Sequence, residues 1–350
     1  MVEIKPYDDQ QHRLQVLDLF SDVPFKSALW EYQFLSNPGA IANGFAPVIA
    51  ESDGRVVGFN GVVPVFILWN GVPQTAMWSC DFKVSAELRG QGVGRLIKVA
   101  LATKSPVLMS FGISPVAAIV LERMGWQASG DVHFLKRIRR PGSVRDVALT
   151  VFQVLTACLN WTFGGRELQA RRVDKLPSST ETDRLWLDVQ AGYRKAVVRN
   201  WAYLDWRYQQ HPYGGYRFIE MRDRQDKLKA VGVVRVAGGQ VRLVDYLGPA
   251  RDVAVKRALV KALLGYWGDA NAFSAMTSDA ELKKVMKSLG FYQGREQPRF
   301  YVWAASEVLE GAAPESSAHN WFIMGGDSDG ELLQAARESW NTKINDREDV

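Results

Sequence analysis

The stretch from Met77 to Lys104 constrains the fold of this chain more than any other part of its sequence. Its first residues, 77–84, are mostly apolar and predict a β-strand, and the run Arg-Gly-Gln-Gly-Val-Gly over 89–94 predicts a tight turn. Apolar residues then recur at the spacing of one helical face, at Val93, Leu96, Ile97, Ala100 and Leu101. The stretch therefore predicts a strand, a glycine-rich turn and a helix in direct succession.

A turn of this kind is suited to binding phosphate. Glycine permits positive φ angles and close approach of a ligand, and the first turn of a helix has free N–H groups at the positive end of its dipole. Two common phosphate loops do not fit the sequence. A dinucleotide loop would have its third glycine at Arg95, and a nucleoside-triphosphatase loop would have Lys-Ser/Thr after Gly94, where Arg95-Leu96 stands.

Arg89, Gly92 and Gly94 instead resemble the pyrophosphate loop of the GCN5-related N-acetyltransferase (GNAT) superfamily, Arg/Gln-x-x-Gly-x-Gly/Ala, which also lies between a strand and a helix. The resemblance implies acetyl-CoA, or another acyl-CoA, as cofactor. It implies that the cofactor contacts Phe82, Lys83, Val84, Arg89, Gly90, Gln91, Gly92, Val93, Gly94 and Arg95.

The residues that follow extend the resemblance over about 56–137. A second apolar strand is predicted over 105–113, and a helix is predicted to begin at Ser114-Pro115 and to end at Gly125-Trp126. In the superfamily this helix often carries a tyrosine, which acts as general acid, four residues before the glycine. Leu121 occupies that position here and cannot donate a proton.

The resemblance implies direct transfer of an acyl group to an amine, without a covalent enzyme intermediate. A backbone N–H near 82–84 would stabilise the oxyanion that develops. We predict Asp81 as the general base, because its apolar neighbours on the strand would raise its pKa. A structural carboxylate paired with Lys83 or Arg89 is the alternative reading of Asp81.

The second half of the chain repeats landmarks of the first half in the same order. Asp245 precedes Gly290-Phe291 much as Asp81 precedes Gly125-Trp126, and 205–208 echoes 29–32. This pattern predicts a duplication. The expected fold is α/β (α+β), with two acetyltransferase-like units, each a central mixed, mostly antiparallel sheet flanked by helices. The predicted divisions are an acyl-CoA-binding unit (1–140), a linker with an apolar helix (141–180), a degenerate unit that binds the acceptor (181–305) and a C-terminal extension (306–350).

The second unit lacks the phosphate-binding turn. Residues 249–254 contain no glycine, Pro249 has no N–H, and Asp252 would repel phosphate. The aromatic run 199–216 and the late run 321–329 resemble tandem acetyltransferase-like proteins of bacterial surface-polysaccharide biosynthesis. The substrate-binding residues predicted from this half are Asp205, Arg207, Tyr208 and Asp245. A core role for Tyr208, and helix capping by Asp327 and Asp329, are the alternatives.

Composition limits the other functions. The formal net charge is +5, but no basic stripe with interleaved aromatic residues predicts nucleic-acid binding. No cluster of cysteine and histidine has metal-ligand spacing, so we predict no metal site. We predict a cytoplasmic location, because there are only two cysteines and the N-terminal segment lacks the apolar core of a signal peptide. The apolar segment 147–163 predicts a packed helix, which we favour over contact with a membrane surface.

These observations predict an acyl-CoA-dependent N-acetyltransferase whose acceptor is the amine of a small molecule or of a sugar-linked compound. An amino sugar in cell-surface polysaccharide synthesis is the favoured acceptor. Two alternatives remain open. One is a tandem-unit aminoacyl transferase of the peptidoglycan type, which would not need an intact CoA loop. The other is a non-catalytic CoA-binding protein, which Leu121 favours.

Overall fold

A computed structural model of the protein describes residues 1–44, 46–129, 131–140, 151, 153, 168–295, 298–309 and 319–348. These residues form a nine-stranded sheet, called here the first sheet, and a seven-stranded second sheet. Both sheets are mixed, mostly antiparallel and flanked by helices, so the predicted fold class is confirmed. The predicted apolar helix over 147–163 lies outside the described residues, apart from 151 and 153. The predicted unit boundaries remain predictions.

The described strands are β1 (Glu3–Pro6), β2 (Val48–Ser52), β3 (Arg55–Trp69), β4 (Val72–Val84), β5 (Val107–Phe111), β6 (Gln127–Ser129), β7 (His133–Ile138), β8 (Gln169–Val173), β9 (Lys195–Val197), β10 (Tyr216–Arg222), β11 (Leu228–Ala237), β12 (Gln240–Leu247), β13 (Ala272–Thr277), β14 (Tyr292–Gln293), β15 (Phe300–Ala304) and β16 (Trp321–Phe322). The described α-helices are α1 (Asp9–Leu19), α2 (Lys26–Trp30), α3 (Pro38–Asn43), α4 (Val93–Ala102), α5 (Pro115–Arg123), α6 (Ser179–Val189), α7 (Trp201–Leu204), α8 (Val253–Tyr266), α9 (Ala280–Ser288), α10 (Ser306–Leu309) and α11 (Asp329–Glu348).

The first sheet has the order β1-β2-β3-β4-β5-β15-β6, with β9 paired to the end of β3 and β16 paired to β9. The long β3–β4 hairpin turns at Asn70-Gly71, where both residues have positive φ angles of 53° and 81°. Helices α4 and α5 cover this sheet through a cluster of buried apolar residues that includes Ile97, Leu101 and Leu121. The predicted strand, turn and helix around the glycine run are confirmed.

The two sheets exchange a strand. β7 pairs with β13 and β14 of the second sheet, and β15 pairs with β5 and β6 of the first. β7 lies in the predicted first unit (1–140) but pairs in the second sheet. Leu135 is fully buried in this strand, but the local sequence does not specify which sheet the strand joins. Each sheet therefore depends on the other half of the chain.

A pair of π-helical turns joins the two halves. The first spans Glu31–Leu35 after α2, and the second spans Asp205–Gln209 after α7. Tyr32 and Trp206, each the second residue of its turn, stack with ring centroids 5.6 Å apart. Trp206 Nε1 donates to the carbonyl oxygen of Tyr32, and Tyr32 OH donates to that of Arg207, both over 2.8 Å. Equivalent residues of the repeat therefore contact each other.

The π-helical turns also correct the alignment of the repeat. The sequence comparison placed Tyr32 opposite Tyr208, whereas the two turns place Tyr32 opposite Trp206. The two aspartates used as landmarks differ as well. Asp81 is the extra residue of a β-bulge opposite Asn60 and Gly61, whereas Asp245 pairs with Val233 beside a bulge of its own strand.

We predict that Tyr32→Phe lowers the free energy of unfolding by about 1–2 kcal/mol, because it removes a buried hydrogen bond and keeps the ring. Chemical denaturation should show one transition, since the sheets share strands. Tyr266→Phe removes the bond to the Ala170 oxygen at a less buried site and should cost less. Two separate transitions in the wild-type protein would contradict the shared architecture.

Candidate active site

A cleft opens where β4 and β5 separate. The two strands pair in parallel only at Met77–Leu108 and Trp78–Met109. Beyond these two pairs, β4 and β5 no longer pair with each other. A cavity of about 710 Å³ lies there. The glycine-rich turn, the start of α5 and one residue of the C-terminal segment, Asp329, complete its wall. A ligand in this cavity could therefore contact both the turn and the exposed edge of β4.

Three glycines shape one end of the cavity. Gly90 and Gly92 have φ angles of 80° and 82°, which side-chain-bearing residues rarely adopt. Gly92 is the N-cap of α4 and provides no side-chain cap, so the first N–H groups of the helix are left for a ligand. A Cβ on Gly94 would lie 2.7 Å from the ring of Phe82. The turn thus combines open backbone donors with a tight contact to β4.

Nine of the ten residues that we predicted to contact the cofactor line this cavity, and Gln91 does not. The Gln91 side chain donates to the carbonyl oxygen of Glu87 instead, over 2.8 Å. Arg89 donates from Nε to the carbonyl oxygen of Val84 over 3.2 Å, which braces the turn against the end of β4. Arg95 adds a second guanidinium to the wall. The positive charge at this end suits a phosphate group.

The corresponding turn of the second half is closed by the chain itself. Asp252 caps α8, and its carboxylate accepts hydrogen bonds from the N–H groups of Ala254 and Val255, both at 3.0 Å. The Asp252 carboxylate therefore occupies the anion position at the N-terminus of α8. The contrast with the uncapped α4 explains how two copies of one fold can differ in phosphate binding.

Asp81 lines the cavity from the bulge of β4, where its φ angle is 46°. Its carboxylate is ion-paired with Lys26 and accepts a hydrogen bond from Gln33 Nε2 over 2.8 Å. The partners that we considered, Lys83 and Arg89, are engaged elsewhere, since Lys83 pairs with Asp22. The Asp81 carboxylate therefore already has two donors within the protein.

Asp329 is a second carboxyl group on the cavity wall, which sequence reasoning assigned to helix capping. Burial, followed by the neighbouring charge of Asp81, raises the pKa of Asp329 to about 6. Ser328 takes the capping role instead, because its Oγ accepts from the N–H of Gly330 over 2.9 Å. A carboxyl group that changes protonation near neutral pH is the usual form of a catalytic acid or base. No sequence signal joins positions so far apart in the chain.

The residues predicted to bind the acceptor lie in a buried network outside the cavity wall. Asp205, Arg207, Tyr208 and Asp245 are all buried, and none of them is among the described residues that line the cavity. Tyr208 OH donates to Asp245 over 2.8 Å, and Asp205 accepts from Gln210 Nε2 over 2.6 Å. The predicted contact of these four residues with the acceptor remains a prediction. Aromatic and charged residues at this spacing form a core here, which was the alternative for Tyr208.

This network holds the segment that carries Asp329. Arg199 pairs with Asp245 at 2.9 Å and with Asp327 at 2.6 Å, and all three side chains are buried. Arg207 donates to the carbonyl oxygens of Gly326 and Ser328, at 2.9 and 2.6 Å. Two guanidinium groups of the second half thus fix residues 326–328 and position Asp329 in the cleft of the first half.

Lys98 is a further ionisable group on the cavity wall, and sequence reasoning did not identify it. It projects from α4, is only 7% exposed, and donates to Ser79 Oγ. Its ammonium lies 5.1 Å from the ring centre of Phe82 and 5.3 Å from that of Trp126. Burial lowers the pKa of Lys98 to about 8. Leu121 lines the same cavity, so a leucine side chain stands where the superfamily often has a tyrosine hydroxyl.

In the described ranges, no helix combines the length and the apolar character needed to cross a membrane. Within the same ranges, no group of three or more His, Cys, Asp or Glu side chains could hold a metal ion.

Solved structures with the same fold are acetyltransferases by name. A protein of Enterococcus faecalis, titled "Probable N-Acyltransferase", matches with a TM-score of 0.60 and 13% identity, over 87% of this chain and 72% of its own. GCN5-related N-acetyltransferases from Anabaena variabilis and Kribbella flavida match with TM-scores of 0.59 and 0.57, each at 13% identity, over 86% and 87% of this chain and 72% and 71% of theirs. No protein-family model and no curated protein sequence matches the chain. The fold is therefore that of the GCN5-related N-acetyltransferases.

We predict that Asp329→Asn makes the protein more stable than wild type at pH 7. The raised pKa means that the folded wild type binds a proton more tightly than the unfolded chain, so its contribution to stability is lost as pH rises from about 4 to about 6. Denaturation as a function of pH should show a gain of about 2 kcal/mol for the variant at pH 7 and none at pH 3. Asp18→Asn, at an exposed site, is the matched control. An equal loss of stability at every pH would show that the side chain is only a structural contact.

Proposed function

We propose that the protein is an acyl-CoA-dependent N-acyltransferase that works by direct transfer in the cleft of the first half. One observation carries the proposal. A helix terminus with free N–H groups and a titrating carboxyl group lie at the wall of one cavity, between two strands that separate. The fold of the similar structures supports the reaction class, and the acyl donor follows from the form of the glycine turn.

The residues present fit an acyl-CoA. The N–H groups of Gly92, Val93 and Gly94 would hold its pyrophosphate, with Arg89 and Arg95 adding charge. The free edge of β4 near 82–84 offers backbone donors to a carbonyl oxygen on which negative charge develops. When bound, the acyl-CoA supplies an activated acyl group as a thioester.

Asp329 replaces Asp81 as the proposed general base. Asp81 is already paired with Lys26 and Gln33, and its charge contributes to the raised pKa of Asp329. At pH 7 most Asp329 is deprotonated and can accept the proton that the acceptor amine loses. Arg199 and Arg207 are positioning residues, since they hold the segment that carries this base.

The acceptor is a primary amine, because the two carboxyl groups of Asp81 and Asp329 complement a protonated amine as it enters. We propose an amino sugar in cell-surface polysaccharide synthesis. That finer proposal depends on the sequence resemblance of runs 199–216 and 321–329, and the second run contains Asp329 itself. The cytoplasmic location predicted from cysteine usage belongs to the same proposal.

A non-catalytic CoA-binding protein is the second candidate. Leu121 in the cavity wall favours it, because no hydroxyl is available there to protonate a leaving thiolate. The two candidates share the phosphate-binding turn and differ in turnover on amines.

We predict that acetyl-CoA at a hundredfold its dissociation constant stabilises the wild-type protein by about 2.7 kcal/mol and does not stabilise Gly92→Glu. The added carboxylate would occupy the anion site and repel phosphate. Gly71→Glu is the matched control, since Gly71 has a similar φ angle of 81° and open space around it, but lies in the hairpin turn. Thermal unfolding with and without ligand measures the effect. A wild type that does not respond, or a Gly92→Glu variant that responds equally, would reduce the turn to a structural feature.

We predict that acyl transfer rises with pH around a midpoint near 6 and that Asp329→Asn loses this dependence and most of the rate. Release of the CoA thiol with glucosamine and other small primary amines as probe acceptors would give the rate. Because Asn keeps the size of the side chain, acetyl-CoA should still stabilise the variant. A variant with an unchanged acid limb would exclude Asp329 as the base.

A further inference from the structure

We propose that Lys98 protonates the departing thiolate, the task for which Leu121 has no suitable group. The inference rests on the proposed function and assigns the second proton transfer of that same site. Two observations support the inference. The Lys98 ammonium is buried in the cavity wall, and it forms no ion pair with a described carboxylate.

Lys98 differs from two other buried lysines, Lys26 and Lys256, which pair with the carboxylates of Asp81 and Asp279. Among the described residues, Lys98 forms no ion pair, and its contacts are Ser79 Oγ and two aromatic faces. A buried cation without a counter-ion is expensive to maintain. Negative charge that arrives with a substrate would complete this environment.

The placement of Lys98 suits a group that acts at the reacting end of a cofactor. Gly94 and Lys98 are four residues apart on α4, so both lie on one face of the helix, about 6 Å apart along its axis. Both contact the ring of Phe82 on β4. Ser79, the partner of Lys98, directly follows Trp78, the last residue of β4 that pairs with β5. Lys98 therefore stands where the strands begin to separate, and the phosphate site stands one helical turn away.

The charge state of Lys98 fits the role. Burial lowers its pKa to about 8, while Cys80 on β4 and Asp329 at the start of α11 act in the opposite direction. The ammonium is charged at pH 7 yet releases its proton more readily than an ordinary lysine. The aromatic faces of Phe82 and Trp126 stabilise the cation without removing the proton.

The proton balance of the reaction closes with two residues. The amine nitrogen forms a bond to the acyl carbon, and the bond between that carbon and sulfur breaks, with both electrons leaving on sulfur. Lys98 Nζ gives its proton to the sulfur, so CoA leaves as a thiol and Lys98 becomes a neutral amine. The amine, which enters protonated, first loses one proton to solvent, and Asp329 takes the second proton of the nitrogen as the amide forms. Exchange of one proton each with solvent restores the protein, and no oxidant, metal or further reactant is needed.

The test uses free CoA and the full chain and does not require turnover. The ultraviolet absorbance of the thiolate gives the pKa of the thiol in bound CoA, and a CoA analogue without the sulfhydryl group serves as the blank that removes protein cysteines. We expect the thiol to be at least tenfold more ionised at a given pH in the complex than in free CoA, which is a pKa lowered by one unit. Lys98→Met should abolish the difference, and Lys98→Arg, which keeps the charge, should retain it.

The controls separate this inference from the proposed function. Lys104→Met removes a charge just after α4 at an exposed site and should leave the thiol pKa of the complex unchanged. If CoA binds to the wild type but its thiol titrates as in solution, the inference is overturned and the CoA site stands. If CoA does not bind at all, both are overturned. The comparison of bound with free CoA holds even if Lys98→Met fails to fold.

Lys98→Arg adds a readout that a purely structural role would not change. Arginine keeps the positive charge but does not release its proton. We expect the variant to bind acetyl-CoA, to keep the lowered thiol pKa and to lose at least tenfold in the rate of transfer to a small primary amine. A rate equal to that of the wild type would contradict proton donation by Lys98.

Discussion

Buried ion pairs of Arg199 hold the candidate site together. This guanidinium bridges Asp245, on a strand of the second sheet, and Asp327, in the segment that leads into α11. Breaking one partner of a buried pair costs about 3–5 kcal/mol, because the other charge is left without compensation. The position of Asp329 in the cleft thus depends on charges of the second half. The second half therefore supports the candidate site of the first half. The four residues of the second half that we predicted to bind the acceptor do not line the cavity.

The two halves share structural elements but differ at the predicted phosphate-binding turn. Both halves keep the α-helix that continues into a π-helical turn, and these turns pack on each other through Tyr32 and Trp206. Only the first half keeps an uncapped helix terminus, whereas Asp252 satisfies the equivalent donors in the second. The exchanged strands β7 and β15 make the two sheets interdependent. In the proposed function, the second half then orients Asp329 in the cleft of the first half.

Local patterns in the sequence predicted much of the first half. The glycine turn and the flanking strand and helix follow from φ angles and side-chain spacing within a few residues. The contacts of Asp81 with Lys26, and the entry of Asp329 and Lys98 into one cavity, did not follow. These residues are brought together by tertiary packing, and a single sequence carries no signal for such long-range pairs. For the same reason, the local sequence of β7 does not predict the sheet that it joins.

The central claim is that one acyl-CoA binds at the turn 89–94 and that the second half has no such site. Isothermal titration calorimetry of the full chain with acetyl-CoA tests it directly, because the stoichiometry counts the sites. The account predicts one site per chain, with affinity that falls as salt screens the phosphate contacts. Two equivalent sites would contradict the closure of the second turn by Asp252. Absence of binding would contradict the cofactor site itself.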